Sequence, residues 1–426
     1  MAMTSHMEYG PIESCQACQA DSLQSVLFLG YLPPVNSMRQ IGTAAREEAW
    51  YPAELLVCSV CYLAQLGFAV EPEVLFPPDY PYTSGTTRVL RDNFADLYVE
   101  VQARIGLGPD DLVVDVGSND GTLLSNFANA GHSVMGIEPS LKAELAVERG
   151  IPTRMSFFDS AAVQGILDDY GHPRVVTATN VFAHIHNIHA VLDNLEQFVG
   201  DTGVFISESH YLPDLVDTLQ YDTIYHEHLR YYSLTSLNNL LVQHGFRIFH
   251  VRRIPTHGGS IRVYASKSLE FPATPQVGEL LKVEADSGYA SNDWVAEFRD
   301  RVIVSKRQLV SLLARLKSEG AHIYGIGAPS RASTLVNYVG LDDGVLDYVL
   351  EIEGSHKLGK YMPGRNIPVI DETRLYDDQP AYVLLLSWHI ADEVCRNLKR
   401  RGYTGDFIVP LPEPYVIANA DVSAKS

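Results

Sequence analysis

Short apolar runs recur along most of the chain between stretches of mixed polarity. LVVDVG at 112–117, SVMGIE at 133–138, VVTATN at 175–180 and GVFISES at 203–209 have the length and composition of buried strands. The stretches between them repeat apolar residues at helical spacing, which predicts βαβ units and a parallel sheet. FRIFHVRRI at 246–254 and SIRVYASK at 260–267 flank PTHGG and read as two last strands joined by a turn. Residues 274–319 carry no strand pattern. There, QVGELLKVEADSG and FRDRVIVSKRQLVSLLARLKSEG predict helices that stop at Gly320. A second alternating segment follows, with AHIYGIG, LDYVLEI, AYVLLLS and DFIVPLP as strands and SRASTLVNYVG and IADEVCRNLKRRG as helices. Upstream, residues 8–75 hold four of the five cysteines and many loop formers. The pattern therefore predicts three domains, at 8–75, 76–270 and 271–426, with no internal repeat.

Composition narrows the class. Hydrophobic residues make up 46% of the 426 and charged residues 20%, ordinary values for a globular chain. Acids outnumber bases 52 to 32, a net charge of −20. Such a surface repels a phosphate backbone, so nucleic acid is not an expected partner. No apolar run reaches the ~20 residues of a membrane helix, and MAMTSHMEYG lacks the apolar core of a signal peptide. The expectation is a cytoplasmic enzyme without a disulfide framework.

The cysteines suggest a metal. Cys15 and Cys18 form one C-x-x-C pair, Cys58 and Cys61 another. Two such knuckles can close a tetrahedral four-sulfur zinc site. A redox role would place a pair at the start of a βαβ unit, and neither pair is there. A segment this small buries little apolar surface, and zinc can supply ~10–16 kcal/mol of folding energy, so the metal is expected to be structural. Cys395 lies in a helical pattern and reads as plain packing.

LVVDVGSNDGTLL is a strand, a glycine turn and a helix start. Gly117 and Gly121 allow close backbone approach to a ligand at the helix N-terminus, with Ser118 between them. The spacing is not the dinucleotide G-x-G-x-x-G. Asp115, before the loop, suits a cationic ligand better than a diphosphate. Glu138, at the end of the next strand, can accept from two ribose hydroxyls. Acid, glycine loop and acid at strand ends point to S-adenosylmethionine and a class I methyltransferase.

Two histidine clusters follow strands of this segment. NVFAHIHNIH holds Asn180, His184, His186 and His189; YDTIYHEHLRYYS holds Tyr225, His226, Glu227, His228, Tyr231 and Tyr232. Loops beyond strand carboxyl ends line the ligand crevice of an open α/β sheet. Histidine, tyrosine and glutamate together can remove a proton, orient the base and stabilise an oxyanion. Periodicity does not choose between His226 and His228: on a strand they share a face, whereas on a helix His228 faces with Tyr225. HGGSIR adds His257, Gly258 and the forked donor Arg262.

With these motifs in order, the chain resembles the three-domain sugar C-methyltransferases that act on nucleotide-linked keto-deoxysugars in antibiotic pathways. The resemblance runs through LLVCSVCYLAQL, DYPYTSGTTR, VVDVGSNDGTLL, GIEPS, NVFAHI, TIYHEHLRYYSL, HGGSIRVY, YGIGAPSRASTLVNY, YMPGRNIPVI and LSWHIADE. It implies a zinc-binding N-terminal domain, a Rossmann-like middle domain binding S-adenosylmethionine and a second Rossmann-like domain holding a sugar nucleotide. It also implies His228 as the base, with Tyr225, Glu227 and His184 beside the sugar, and Tyr80 and Tyr82 near the ligand. Cofactor contacts are expected from Asp115, Gly117, Ser118, Gly121, Glu138 and Asn180. Sugar-nucleotide contacts are expected from His257, Gly258, Arg262, Gly327, Ser330, Arg331, Trp388 and His389. The implied substrate is a TDP-linked 4-keto-deoxysugar methylated at carbon 3, as in kijanose or tetronitrose formation. Relatives acting at carbon 5 share the motifs. Two positions depart from the family pattern: His389 where Asn is usual, and Glu351 where Asp is usual. Oligomeric state is open, with a monomer compatible. Competing readings are an O-methyltransferase, a nicotinamide-dependent oxidoreductase using the G-x-G of YGIGAPS, and a non-catalytic zinc and S-adenosylmethionine scaffold.

Overall fold

The computed structural model describes residues 9–44, 47–76 and 83–423. Its N-terminal part is a four-stranded antiparallel sheet, not the loop-rich segment that composition suggested. Leu23–Leu32, Tyr51–Cys58 and Ala64–Leu66 pair in order. The fourth strand, Arg230–Tyr231, comes from far along the chain: Arg230 pairs with Gln65 and Tyr231 with Ala64. The histidine motif thus runs directly into the edge of the cysteine-bearing sheet.

The middle sheet has seven strands, in the order Arg247–Ile254, Ser260–Ser266, Val204–His210, Val175–Thr179, Leu112–Val116, Ser133–Ile137, Thr153–Arg154. The last five are mutually parallel. Leu112–Val116 is buried throughout, as an interior strand covered on both faces must be. Ser260–Ser266 runs antiparallel to both neighbours and inserts between them, so the final hairpin breaks the all-parallel expectation. This order, with one inserted antiparallel strand, is the class I methyltransferase arrangement. The order in which strands are added reverses between the parallel neighbours Leu112–Val116 and Val175–Thr179, and the crevice opens beyond their carboxyl ends. The 18-residue helix Arg88–Ile105 precedes the sheet and was not anticipated.

The C-terminal sheet also has seven strands: Lys360–Tyr361, Pro368–Asp371, Tyr348–Glu351, Ile323–Ile326, Tyr382–Leu385, Asp406–Val409 and Tyr415–Ile417. The inner five are parallel and both edges antiparallel. The expected strands and helices are present; Pro368–Asp371 and the two edges are additional. The 25-residue helix Trp294–Ser318 buries Phe298, Leu309 and Leu313 in one core with Leu27 of the first sheet and Val383 of the last. Cys15, Cys58 and Cys61 instead share a core with Leu237 and Tyr232 of the middle domain. Cys395 is buried, as packing requires.

Candidate active site and metal centre

Four cysteine sulfurs lie within 4.8 Å of one another. Cys15 and Cys61 are 3.4 Å apart at Sγ, Cys18 and Cys58 3.5 Å. A tetrahedron with ~2.3 Å zinc–sulfur bonds has edges of just under 4 Å, so the cluster fits zinc. Both knuckles are tight: Gln19 N donates to Cys15 O and Tyr62 N to Cys58 O. Carbonyls of the second knuckle also accept from other domains. Asn239 donates to Cys61 O at 3.3 Å and Asn292 to Cys58 O at 3.2 Å.

The residues expected to contact the cofactor line the carboxyl end of the middle sheet. Asp115, next to last in its strand, is buried and accepts from the Thr177 hydroxyl at 2.6 Å. Burial, against that hydrogen bond and aided by the charges of Glu138 and Glu208, pushes its pKa up to about 7. Gly117 and Gly121 have φ of +71° and +74°, a conformation that disfavours any other residue. Glu138 accepts from Asn119 N and Ser140 N, both at 2.9 Å, tying its carboxylate to the glycine loop. The Ser118 hydroxyl is buried without a partner among the described residues. A buried carboxylate, an orphaned hydroxyl and a backbone cradle fit S-adenosylmethionine. Asn180 borders the same crevice at φ +56°, its N–H donating to Glu208 O.

Beyond these strands, several histidines converge. His228 has ring neighbours His184 and His210, each centred 4.9 Å away, and Tyr225 at 4.2 Å. His257 adjoins His210 at 5.5 Å. His228 Nδ1 lies 2.9 Å from the Thr223 carbonyl. A carbonyl only accepts, so Nδ1 carries the proton and Nε2 of the neutral ring keeps its lone pair. Burial holds the His228 pKa well below its ordinary value, and neighbouring His184 adds to the shift. Burial raises Tyr225 far above 10, so it remains a hydroxyl donor. His226 turns the other way, onto the Pro52 carbonyl at 3.2 Å and the Tyr51 ring. Glu227 points to the N-terminal domain, accepting from Asn36 at 2.8 Å. His210 was missed from sequence, although it ends the strand Val204–His210 and the rule for strand carboxyl ends covers it.

The C-terminal domain meets this cluster with its own switch-point loops, after Ile323–Ile326 and Tyr382–Leu385. Gly327 takes φ +78° and Ser330 opens the helix Ser330–Val339. Arg331 makes a bidentate pair with Asp222 at 2.7 and 2.8 Å, and the Trp388 indole donates to the same carboxylate at 2.7 Å. Arg331 also lies 4.9 Å over the Trp388 ring. It thus pins the domain junction while its charge also acts on His228, His257 and His389. Gly258 offers its carbonyl to Gln220 at 2.6 Å. His257 Nε2 and His389 Nδ1 are buried without partners among the described residues, and burial lowers both rings, to about 4 and about 3. Glu351 accepts from Ala328 N and Ile352 N at 2.9 and 3.1 Å, so it braces the glycine loop. Arg262 is not brought to the site. Its guanidinium is buried and enclosed by Glu208, Glu100, Asp96 and Asn93. Tyr80 and Tyr82 lie outside the described residues.

Three family descriptions match the chain in succession: a zinc binding domain at residues 15–76, a methyltransferase domain at 89–251 and a C-methyltransferase C-terminal domain at 255–412. The C-methyltransferase NovU of Streptomyces niveus is 34% identical over 96% of this chain and 97% of its own. Among solved structures, magnesium protoporphyrin IX methyltransferase from Synechocystis PCC 6803 is 18% identical, with 43% of this chain and 86% of that one covered, at a TM-score of 0.33. No helix among the described residues is long and apolar enough to cross a membrane. With a relative matched end to end and all three domains accounted for, the chain belongs to the C-methyltransferase family and is an S-adenosylmethionine-dependent, zinc-binding enzyme of it.

Proposed function

We propose that the enzyme methylates a carbon next to the keto group of a TDP-linked 4-keto-deoxysugar, and that the carbon is position 3 of a 3-amino-2,3,6-trideoxyhexose. A ring C–H is not nucleophilic until a proton leaves to give an enolate. Bound S-adenosylmethionine supplies the electrophilic sulfonium methyl. The protein must then supply a base, a donor to the enolate oxygen and a dry pocket. His228 is the base: it is neutral and buried, and its Nδ1–H on the Thr223 carbonyl leaves Nε2 bare. That single contact carries the reading. Tyr225, tilted against the same ring and fully protonated, donates to the enolate oxygen, with the His184 ring edge-on 4.9 Å from His228. As the enolate's electron pair makes the new carbon–carbon bond, the sulfur–methyl bond breaks with its pair left on sulfur, so that a neutral thioether departs, and the proton on His228 returns to solvent when product leaves. His257, Gly258 and the Gly327, Ser330 and His389 loops face the cluster from around the cleft and receive the sugar nucleotide, whereas Glu227 holds the floor through Asn36.

His228→Asn should lower kcat by ~10²–10⁴ and stop solvent deuterium exchange at the reacting carbon, with S-adenosylmethionine affinity and melting temperature nearly unchanged. Exchange at the wild-type rate in this variant would move the base to His184 or His210. Product NMR separates carbon 3 from carbon 5 and from an O-methyl ether.

A further inference from the structure

Arg230 follows His228 by two residues and is only 1% exposed. Its Nε donates to the Tyr232 hydroxyl at 3.0 Å; its two terminal nitrogens donate to the Gln16 side chain and the Ile185 carbonyl. All three acceptors are neutral, and no carboxylate among the described residues forms an ion pair with it. Buried cations are ordinarily paired, because a lone charge in the interior is costly. One of the acceptors leads to the cysteine site. Gln16 is the residue after Cys15. The backbone of Arg230 pairs with that of Gln65, whose side chain accepts from Gln16 N at 2.8 Å and donates to Ser14 O at 3.3 Å. One end of the guanidinium therefore rests on the cysteine knuckle. Four thiolates around a divalent ion leave about two net negative charges. The other end holds Ile185, next to His184, and Leu229 N donates to Ala183 O on the far side of the same histidine.

We propose that Arg230 is a positioning residue: its charge balances the tetrathiolate centre, and its fork locks the His184 loop and the segment bearing His228 onto the zinc knuckle. The zinc thus sets active-site geometry from outside the cleft. This rests on the reading of the His228 cluster for its catalytic meaning but not for its test.

The test uses the full-length, zinc-loaded protein with Arg230→Met, which removes the charge, and Arg230→Lys, which keeps charge without the fork. Competition with a chromophoric chelator should show zinc affinity weakened ~10–100-fold in Arg230→Met, as for loss of an outer-shell partner, and nearly retained in Arg230→Lys. Ring-labelled histidine spectra should show the His184 and His228 signals shifted in both variants, while S-adenosylmethionine affinity holds. Wild-type zinc affinity in Arg230→Met overturns the counter-charge, and unshifted imidazoles in Arg230→Lys overturn the lock. Should Arg230→Met not fold, stripping zinc from the wild type below its melting temperature must shift the same two signals; if they stay put, the coupling does not exist. Failure of His228 as base would leave every one of these readouts standing.

Discussion

Asp115 shows how one buried side chain links the fold to the chemistry. Its carboxyl sits near the end of an interior strand, where burial disfavours the charge and raises its pKa to about 7. On our proposal that bound S-adenosylmethionine sets its positive charge beside this carboxyl, the ionised form is favoured, so binding should lower that pKa and release a proton near neutrality. Affinity should therefore rise with pH between 6 and 8, by up to about tenfold per unit on the acid side. Calorimetry in two buffers of different ionisation enthalpy should register the released proton. Asp115→Asn should flatten both effects, and a flat profile in the wild type would remove Asp115 from contact with the cofactor's charge. Glu138, the other buried carboxylate of this crevice, accepts instead from two backbone N–H groups, which fix where its oxygens point.

The elements that were legible in the sequence are those with one dominant pattern. Leu112–Val116 and Tyr382–Leu385 are short apolar runs in a parallel sheet, and periodicity finds them. Leu23–Leu32 escaped because its burial is irregular along the strand and its pairing with Tyr51–Cys58 shifts register twice. The choice between His226 and His228 was unreadable for a plainer reason. Both lie in a turn ahead of Arg230–Tyr231, where neither strand nor helix periodicity applies. Arg262 misled because a forked donor near glycines looks like a ligand contact, while its partners, Glu208 and Glu100, stand 54 and 162 residues away. The cysteine spacing needed no such long-range knowledge. Cys58→Ser should abolish the roughly one zinc bound per chain and lower the melting temperature, while S-adenosylmethionine affinity changes little. Metal analysis showing no zinc in freshly purified wild-type protein would sink that assignment.

Across the molecule, Asp222 is the joint between middle and C-terminal domains. Arg331 and Trp388 both converge on it, and it is fully buried. Asp222→Asn leaves the Arg331 charge buried and poorly paired, at a cost of about 3–5 kcal/mol. Thermal unfolding should then begin with the C-terminal domain as a separate early transition, and KM for the sugar nucleotide should rise while cofactor affinity holds. A single transition at the wild-type temperature would show the joint to be unimportant. The N-terminal sheet poses a different demand, on the order of synthesis. Its last strand, Arg230–Tyr231, is made long after Ala64–Leu66 has left the ribosome. At ~5–20 residues per second the nascent chain carries an open strand edge for about 10–30 s. During that interval the edge can pair with a neighbouring chain, so yield in the cell should depend on how crowded the polysome is.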